Sequence, residues 1–184
     1  MKRLVYFLGS MIALLAVLLA ACDENEEETD VLVGTYVFTS ATFNDSVTII
    51  VSDQEQVFPP GSDASLFVGP GLLSAAPCDN PQNAAIELSK EGKANFVCVG
   101  EAGTEQMGTW SINAERTVLK LNISNPAPFS LDITSLETTS TTFSGTVGNF
   151  PLPIDAGVEL GGMLPGPTIN YQIGSVDLTF TRIP

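Results

Sequence analysis

The chain has 184 residues, a formal net charge of −14 and no histidine. Phosphate binding needs clustered Lys and Arg, so this acidic composition argues against a nucleic-acid partner. Without histidine the chain lacks the most common general base, the Ser–His arrangement of hydrolases and histidine-ligated zinc.

Residues 1–21 carry the pattern of a secretory signal: two basic residues, an apolar stretch over 4–19 and small residues at the end. The stretch 19–22, Leu-Ala-Ala-Cys, resembles the lipobox of bacterial lipoproteins. That resemblance implies a covalent lipid, of the diacylglycerol and palmitate type, at Cys22, which becomes the first residue after cleavage. The alternative is a retained transmembrane helix, but the apolar stretch is near the shortest length that spans a bilayer.

An acidic linker is predicted next, because six of the eight residues over 23–30 are Asp or Glu. Such a block repels itself and stays extended and solvated. Acidic residues directly after a lipidated Cys also resemble the surface-export signal of Bacteroidota-type lipoproteins. This implies a lipid anchor in the outer membrane, with the protein exposed at the cell surface, while Asp23 leaves the inner membrane open as the alternative.

Residues 31–184 are predicted to form one all-β domain that is long enough to bury a core. Ser, Thr, Gly and Pro are abundant, and several stretches alternate apolar and polar residues with a period of two, which is typical of strands with one buried face. The predicted strands lie at 31–43, 46–51, 84–89, 94–99, 107–113, 117–123, 129–136, 141–147 and 168–182.

The connections between these strands differ in length. The first two strands are predicted to form a hairpin around Asn44 and Asp45. Residues 52–83 are an ordered excursion with a helical turn or two between Asp63 and Ala76, and residues 149–167 are a second, proline-rich excursion. The apolar phase of the last strand slips by one residue at 174–175, which predicts a β-bulge.

The strand count bears on the architecture. Eight or nine antiparallel strands joined mostly by tight turns must pair their edges, and closure into an up-and-down barrel achieves this. We therefore predict an all-β, eight- to nine-stranded antiparallel barrel, with a two-sheet sandwich as the alternative.

Cys78 and Cys98 are the two cysteines that remain once Cys22 is assigned to the lipid. An even remainder in an exported protein predicts a disulfide, with two free buried thiols as the alternative. The bridge would close a loop of about twenty residues and stabilise the fold by roughly 3 kcal/mol in the chain-entropy model.

Several short motifs occur in a characteristic order. They are Gly34-Thr35-Tyr36, Cys78-Asp79-Asn80, Ile86-Glu87-Leu88, Glu91-Gly92-Lys93 and Gly108-Thr109-Trp110. This order resembles the lipocalin-like lipoprotein domains of Bacteroidota over roughly residues 31–123, which implies a lipocalin-like barrel. The family prefers Trp where Tyr36 stands, and the calcium loop of some relatives is not matched here, so no metal is expected.

Four aromatic residues are the candidate ligand contacts: Tyr36, Trp110, Phe67 and Phe150. Aromatics at the first two positions more often close the floor of a barrel. The other two lie in apolar loops, 57–76 and 149–167, which either cap the core or rim a pocket. Both alternatives remain open from the sequence.

The predicted function is that of a membrane-anchored cell-envelope lipoprotein whose lipocalin-like domain binds a small apolar or amphipathic ligand. The alternative is a non-enzymatic structural or interaction lipoprotein that acts through its outer surface. We expect no catalytic residues and no cofactor, because the carboxylates are scattered and no reaction site is visible among them. The sequence does not specify a protein partner.

Overall fold

A computed structural model describes residues 29–73, 76–124, 128–156 and 171–184 of the chain. The predicted signal, Cys22 and most of the acidic linker lie outside these described residues, as does the later part of the second excursion. No helix within the described ranges is long and apolar enough to cross a bilayer.

The described part of the chain forms ten strands and one α-helix, with a short 3₁₀ turn at Pro81–Asn83. In chain order the elements are β1 (Gly34–Phe43), β2 (Val47–Val51), β3 (Gln54–Phe58), α1 (Ser65–Leu73), β4 (Ala84–Leu88), β5 (Lys93–Cys98), β6 (Thr104–Ile112), β7 (Leu119–Ile123), β8 (Phe129–Thr138), β9 (Thr142–Pro153) and β10 (Tyr171–Ile183).

Eight of these strands close an antiparallel barrel in the order β1-β10-β9-β8-β7-β6-β5-β4, and β4 pairs back with β1. The predicted all-β, up-and-down barrel is therefore confirmed, and the two-sheet sandwich is not formed. Closed up-and-down barrels of eight strands are the architecture of lipocalin-like domains. The remaining pair, β2 and β3, forms a separate hairpin.

Period-two alternation explains why the strands face as they do. In β7, Leu119, Leu121 and Ile123 are buried, while the intervening Lys120 and Asn122 are exposed. A fully buried side chain of this kind contributes about 1.5–3 kcal/mol through removal of its apolar surface from water.

Aromatic rings fill much of the barrel interior. Phe143 stacks on Phe180 with a centroid distance of 4.8 Å, and Tyr36 meets Phe143 edge-on at 4.8 Å. Phe38 meets the other side of Phe180 at 5.7 Å. Because three of these four rings lie on β1 and β10, the junction between the first and last strands is a packed part of the core.

The predicted hairpin between the first two strands is wrong. β1 pairs with β10 and β4, whereas β2 turns back onto β3, from Val47↔Phe58 to Val51↔Gln54. The turn at Ser52 and Asp53, whose φ angles are 52° and 62°, pairs β2 with β3, because positive φ at both central residues matches the twist of a two-residue hairpin. Both edges of β1 are occupied by other partners, β10 on one side and β4 followed by residues 61–64 on the other.

The second excursion begins later than predicted, because β9 continues through Phe150 to Pro153. Past Val147, β9 still pairs with β10 but no longer pairs with β8. Proline cannot donate to a sheet and is tolerated where one edge of a strand is free. The predicted bulge in the last strand is confirmed as a register shift between Gly174 and Val176.

The two ends of the barrel differ. The entry end contains the start of β1, the β4–β5, β6–β7 and β8–β9 turns and the end of β10. The hairpin end, opposite to it, is covered by β2–β3: Val47 and Ile49 are buried, and the backbone N–H of Ile50 donates to the carbonyl of Ile154 at 2.8 Å. The helix α1 packs at the same end against β1 and β9.

Candidate ligand cavity

Tyr36 lies in the core at the entry end. Its hydroxyl accepts a hydrogen bond from Arg182 Nη2 at 2.9 Å and donates to the carbonyl of Val31 at 3.3 Å. The guanidinium of Arg182 also lies over the Tyr36 ring, 5.3 Å from its centroid. Such a contact fixes the ring between β10 and the chain entering β1, so Tyr36 helps to close this end.

Trp110 lies at the same end, half-buried against the core. Its indole Nε1 donates to the carbonyl of Ser89 in the β4–β5 turn at 2.9 Å. A buried indole needs such a partner, and this one holds the ring across the end of the barrel. Trp110 and Tyr36 therefore close the barrel floor, which is the alternative that the sequence left open for them.

Phe67 and Phe150 are buried at the hairpin end. The Phe67 ring packs 5.4 Å from Phe58 and 5.9 Å from Phe43. This aromatic cluster joins α1, β3 and the end of β1, so the apolar residues of the first excursion cap the core here. None of the four predicted ligand contacts lines the cavity described next.

The seam is the place where β1 and β4 part. β1 pairs with β4 only from Gly34 to Tyr36, although it continues to Phe43 on its β10 side. Farther along the same edge, the segment before α1 replaces β4: the Ala64 N–H donates to the Ala41 carbonyl at 2.8 Å, and the Phe43 N–H to the Ser62 carbonyl at 2.9 Å. A gap therefore remains beside the middle of β1.

The gap holds a cavity of about 570 Å³, which we call the seam cavity. Its lining residues come from β1, from α1, from the loop after α1 and from the start of β4. They are Val37, Phe38, Ser65, Gly69, Pro70, Leu73, Ala76, Cys78, Pro81, Gln82 and Ala84. Ligand sites in proteins are mostly apolar clefts of this size with a few polar groups, and here Ser65 and Gln82 supply those groups.

The helix α1 forms one wall and approaches β1 closely. A Cβ on Gly69 would meet the Phe38 ring at 3.0 Å, so this position requires glycine for the observed approach. The first turn of α1 is fixed by Asp63, which accepts from the Ser65 N–H at 2.8 Å, and by Ser65 Oγ, which accepts from the Ala41 N–H at 3.0 Å. Hydrogen bonding by the Ser65 side chain, and then by its N–H, holds the pKa of Asp63 below its ordinary value.

The loop after α1 forms the second wall and is held at two points. Cys78 is bonded to Cys98 at the end of β5, as the cysteine count predicted. The Glu101 carboxylate accepts from the Asn83 side chain and from the Asp79 N–H. These hydrogen bonds hold the pKa of Glu101 below its ordinary value, and the bond from Asn83 has the largest effect. The carboxylate is therefore charged at neutral pH.

Sequence reasoning missed the lining of the seam cavity. Val37, Phe38 and Ala84 have the pattern of ordinary strand residues, and the gap between them depends on a pairing that breaks off after Tyr36. One local signal existed: Gly69-Pro70-Gly71 lies inside an otherwise apolar stretch. Glycine in a helix often marks close approach by another element, and it does so here.

The described residues give no comparable support for a metal site or for a catalytic pair of carboxylates. No group of three or more His, Cys, Asp or Glu side chains there is placed to hold a metal ion. Asp132 lies 3.4 Å from Lys120 Nζ, and Asp177 accepts from Asn44 and Thr146. These carboxylates have the contacts of a polar outer surface.

Comparison with protein-family models, with curated proteins and with solved structures finds no match for this chain. The function therefore has to be argued from the fold and from the seam cavity.

Proposed function

We propose that the protein is a membrane-anchored cell-envelope lipoprotein that binds a small apolar or amphipathic ligand in the seam cavity. The observation that carries this proposal is the cavity of about 570 Å³ between β1, α1 and the start of β4. Its volume falls within the roughly 300–1,000 Å³ of small-molecule sites.

The lining indicates the kind of ligand. Phe38, Leu73 and Ala84 present apolar surface, and among the described lining residues the side-chain polar groups, besides the cysteine sulfur, are those of Ser65 and Gln82. Burial of an apolar ligand here would gain about 25 cal/mol for each Å² removed from water. A ligand with an aliphatic or cyclic body and one polar end fits these walls.

The walls are preformed. The disulfide and the Glu101 hydrogen bonds hold the loop after α1, and the contact of Gly69 with Phe38 fixes the distance between α1 and β1. A site that is ordered before binding loses less conformational entropy when the ligand enters.

The proposed anchor would hold the protein by its entry end. Asp30 is the last residue of the acidic linker, and Arg116 of the β6–β7 turn donates to both of its carboxylate oxygens at 2.8 and 2.9 Å. The start of α1 lies at the opposite end. A lipid on Cys22 would therefore leave the seam cavity on the half of the barrel away from the membrane, whether that is the proposed outer membrane or the inner one.

Native mass spectrometry of the protein purified from its own cells tests the binding proposal. We expect a co-purifying apolar or amphipathic molecule. Leu73→Trp, which fills the cavity, should remove it, whereas Leu66→Trp is the matched control, because Leu66 lies on the same helix with 75% of its surface exposed. A bound molecule that is retained in Leu73→Trp would contradict the proposed site.

The anchor is tested separately. Cys22→Ser should release the protein from membranes and abolish incorporation of labelled palmitate, because the thiol is the attachment point for the lipid. Cys78→Ser serves as the control, because it also replaces a cysteine but leaves Cys22 in place, and it should keep the label. Palmitate that still enters Cys22→Ser would defeat the assignment.

A second candidate function rests on the packing of the barrel interior. Large side chains such as Phe96, Phe143 and Phe180 are buried there, so the described interior is occupied by the protein itself. Val57 and Leu66 are 65% and 75% exposed at the hairpin end. These features favour an interaction lipoprotein. Two results together would support this function over ligand binding: no molecule co-purifies although the seam cavity is intact, and capture of a protein partner depends on Val57 and Leu66.

A further inference from the structure

The basic residues of the domain are confined to one part of the barrel. After residue 30 the sequence has five of them, Lys90, Lys93, Arg116, Lys120 and Arg182. Lys90 belongs to the β4–β5 turn, and Lys93 begins β5. Arg116 belongs to the β6–β7 turn, and Arg182 lies at the end of β10. These four lie at the entry end, and Lys120 lies in β7, where it meets Asp132 at 3.4 Å.

The hairpin end has the opposite character. Its described charged side chains are all acidic: Asp45, Asp53, Glu55, Asp63, Asp79, Glu101, Glu105 and Asp155. The sequence also contains no Lys or Arg in the stretches 74–75, 125–127 and 157–170. A surface whose charged side chains are of one sign attracts cations and repels anions over about one Debye length, roughly 8–10 Å in physiological salt.

Three of these acids belong to the walls of the seam cavity. Asp63 bonds to the N–H of the lining residue Ser65. Asp79 follows the lining residue Cys78, and its N–H donates to Glu101. None of the eleven residues that line the cavity is basic. A head group in the cavity would thus lie within about one Debye length of these carboxylates, while none of the described lining residues supplies a cation that could pair with an acid group.

We propose that the seam cavity selects amphipaths with a cationic polar end, such as aliphatic amines, over those with an anionic end, such as fatty acids. This inference rests on the proposed function, because it names the ligand class for the same cavity. The apolar lining holds the aliphatic body, and the electric field of the neighbouring acids Asp63, Asp79 and Glu101 acts on the head group. An uncharged alcohol of equal length should therefore bind with intermediate affinity.

Calorimetric titration with decylamine, decanol and decanoate tests the selection. The full chain is placed in lipid nanodiscs, and the signal of Leu73→Trp is subtracted, because both proteins share the same partition of ligand into the lipid. At low ionic strength and neutral pH we expect decylamine to bind about tenfold more tightly than decanoate, and we expect added salt to reduce this ratio.

Charge variants locate the source of the preference. Asp63→Asn with Asp79→Asn removes two wall charges, and Asn retains the ability to cap α1. This variant should lower the amine-to-acid ratio severalfold. Glu137→Gln is the matched control, because it removes a charge of the same sign from an exposed position near the end of β8, at the entry end, and it should leave the ratio unchanged.

The outcomes separate the two proposals. If decanoate binds the wild-type protein as tightly as decylamine, or if the double variant keeps the full preference, the charge selection is overturned while the ligand site stands. If none of the three compounds binds in the cavity, the proposed function itself fails.

Discussion

The first strand of the barrel makes two unlike junctions with its neighbours. On one side β1 follows β10 from Thr35↔Ile183 to Phe43↔Val176, and rings of both strands pack inside. On the other side β1 leaves β4 after Tyr36↔Ile86, and a loop and a helix fill the remaining edge. A barrel can therefore close firmly through one side of a strand and leave room for a ligand on the other.

The two junctions also differ in what stabilises them. The β1–β10 junction depends on ladder hydrogen bonds and buried aromatic area. The β1–β4 seam depends on a disulfide, a few side-chain hydrogen bonds and a helix whose Gly69-Pro70-Gly71 sequence has poor intrinsic propensity. Changes at the first junction should therefore affect the whole fold, whereas changes at the seam should act locally.

Phe180→Ala should produce the largest loss of stability. The ring is buried between Phe38 and Phe143, so its removal leaves a cavity in the β1–β10 junction and should cost about 3–5 kcal/mol. Urea unfolding measures the change. Ile173→Ala, on the same strand but 58% exposed, should change stability by about 0.5 kcal/mol or less. An equal loss in both variants would show that burial of the Phe180 ring is not the source of the effect.

Removal of the disulfide should have a smaller and more local effect. Cys78→Ala with Cys98→Ala opens a loop with a sequence separation of 20 and should cost roughly 3 kcal/mol or less in the chain-entropy model. Hydrogen exchange should quicken first in the loop after α1 and at Ala84, because the bridge holds that wall. Faster exchange in β8 and β9 instead, with the seam unchanged, would show that the bridge stabilises another part of the fold.

The Asp30–Arg116 pair should give the smallest effect, since both side chains are partly exposed. Its hydrogen bonds with Arg116, against the opposing effect of burial, lower the pKa of Asp30. The pair should therefore contribute about 1 kcal/mol or less, in full above the ordinary aspartate pKa near 4. That contribution is lost as the pH falls through the lowered pKa of the folded protein.

Urea midpoints of the wild type and Asp30→Asn, measured from neutral to acid pH, check this prediction. The difference between them should shrink at acid pH and should be absent in an Arg116→Gln background. A difference that stays constant down to low pH would show that the ion pair is not its source.

The barrel wall was accessible to sequence reasoning because its signals are local. Three predictions that depend on one strand or one pair of cysteines were confirmed. They are the alternating burial in β7, the bulge at Gly174 in the last strand and the disulfide between Cys78 and Cys98. The turn at Ser52 and Asp53 was a local signal that was overlooked, and this error produced the wrong hairpin.

The seam was not accessible in this way. It depends on residues 61–65 bonding to β1 where β4 would otherwise lie, a choice between two non-local partners for one edge. The candidate contacts Tyr36, Trp110, Phe67 and Phe150 were chosen as large aromatics, but buried aromatics are mainly core residues. The cavity lining contains one aromatic residue, Phe38, which was not among them, together with small residues such as Gly69 and Ala84. The predicted lipidation at Cys22 stays a prediction.

Photolabelling with a diazirine-bearing decanol tests most directly whether the seam, and not the barrel interior, holds the ligand. The compound is uncharged, so the result does not depend on charge selection. Mass spectrometry of the labelled full chain should place the label on peptides that contain Leu73 and Ala84, with loss of label in Leu73→Trp. Label on Trp110 and Phe150, with Leu73 and Ala84 unlabelled, would place the ligand inside the barrel and contradict the account.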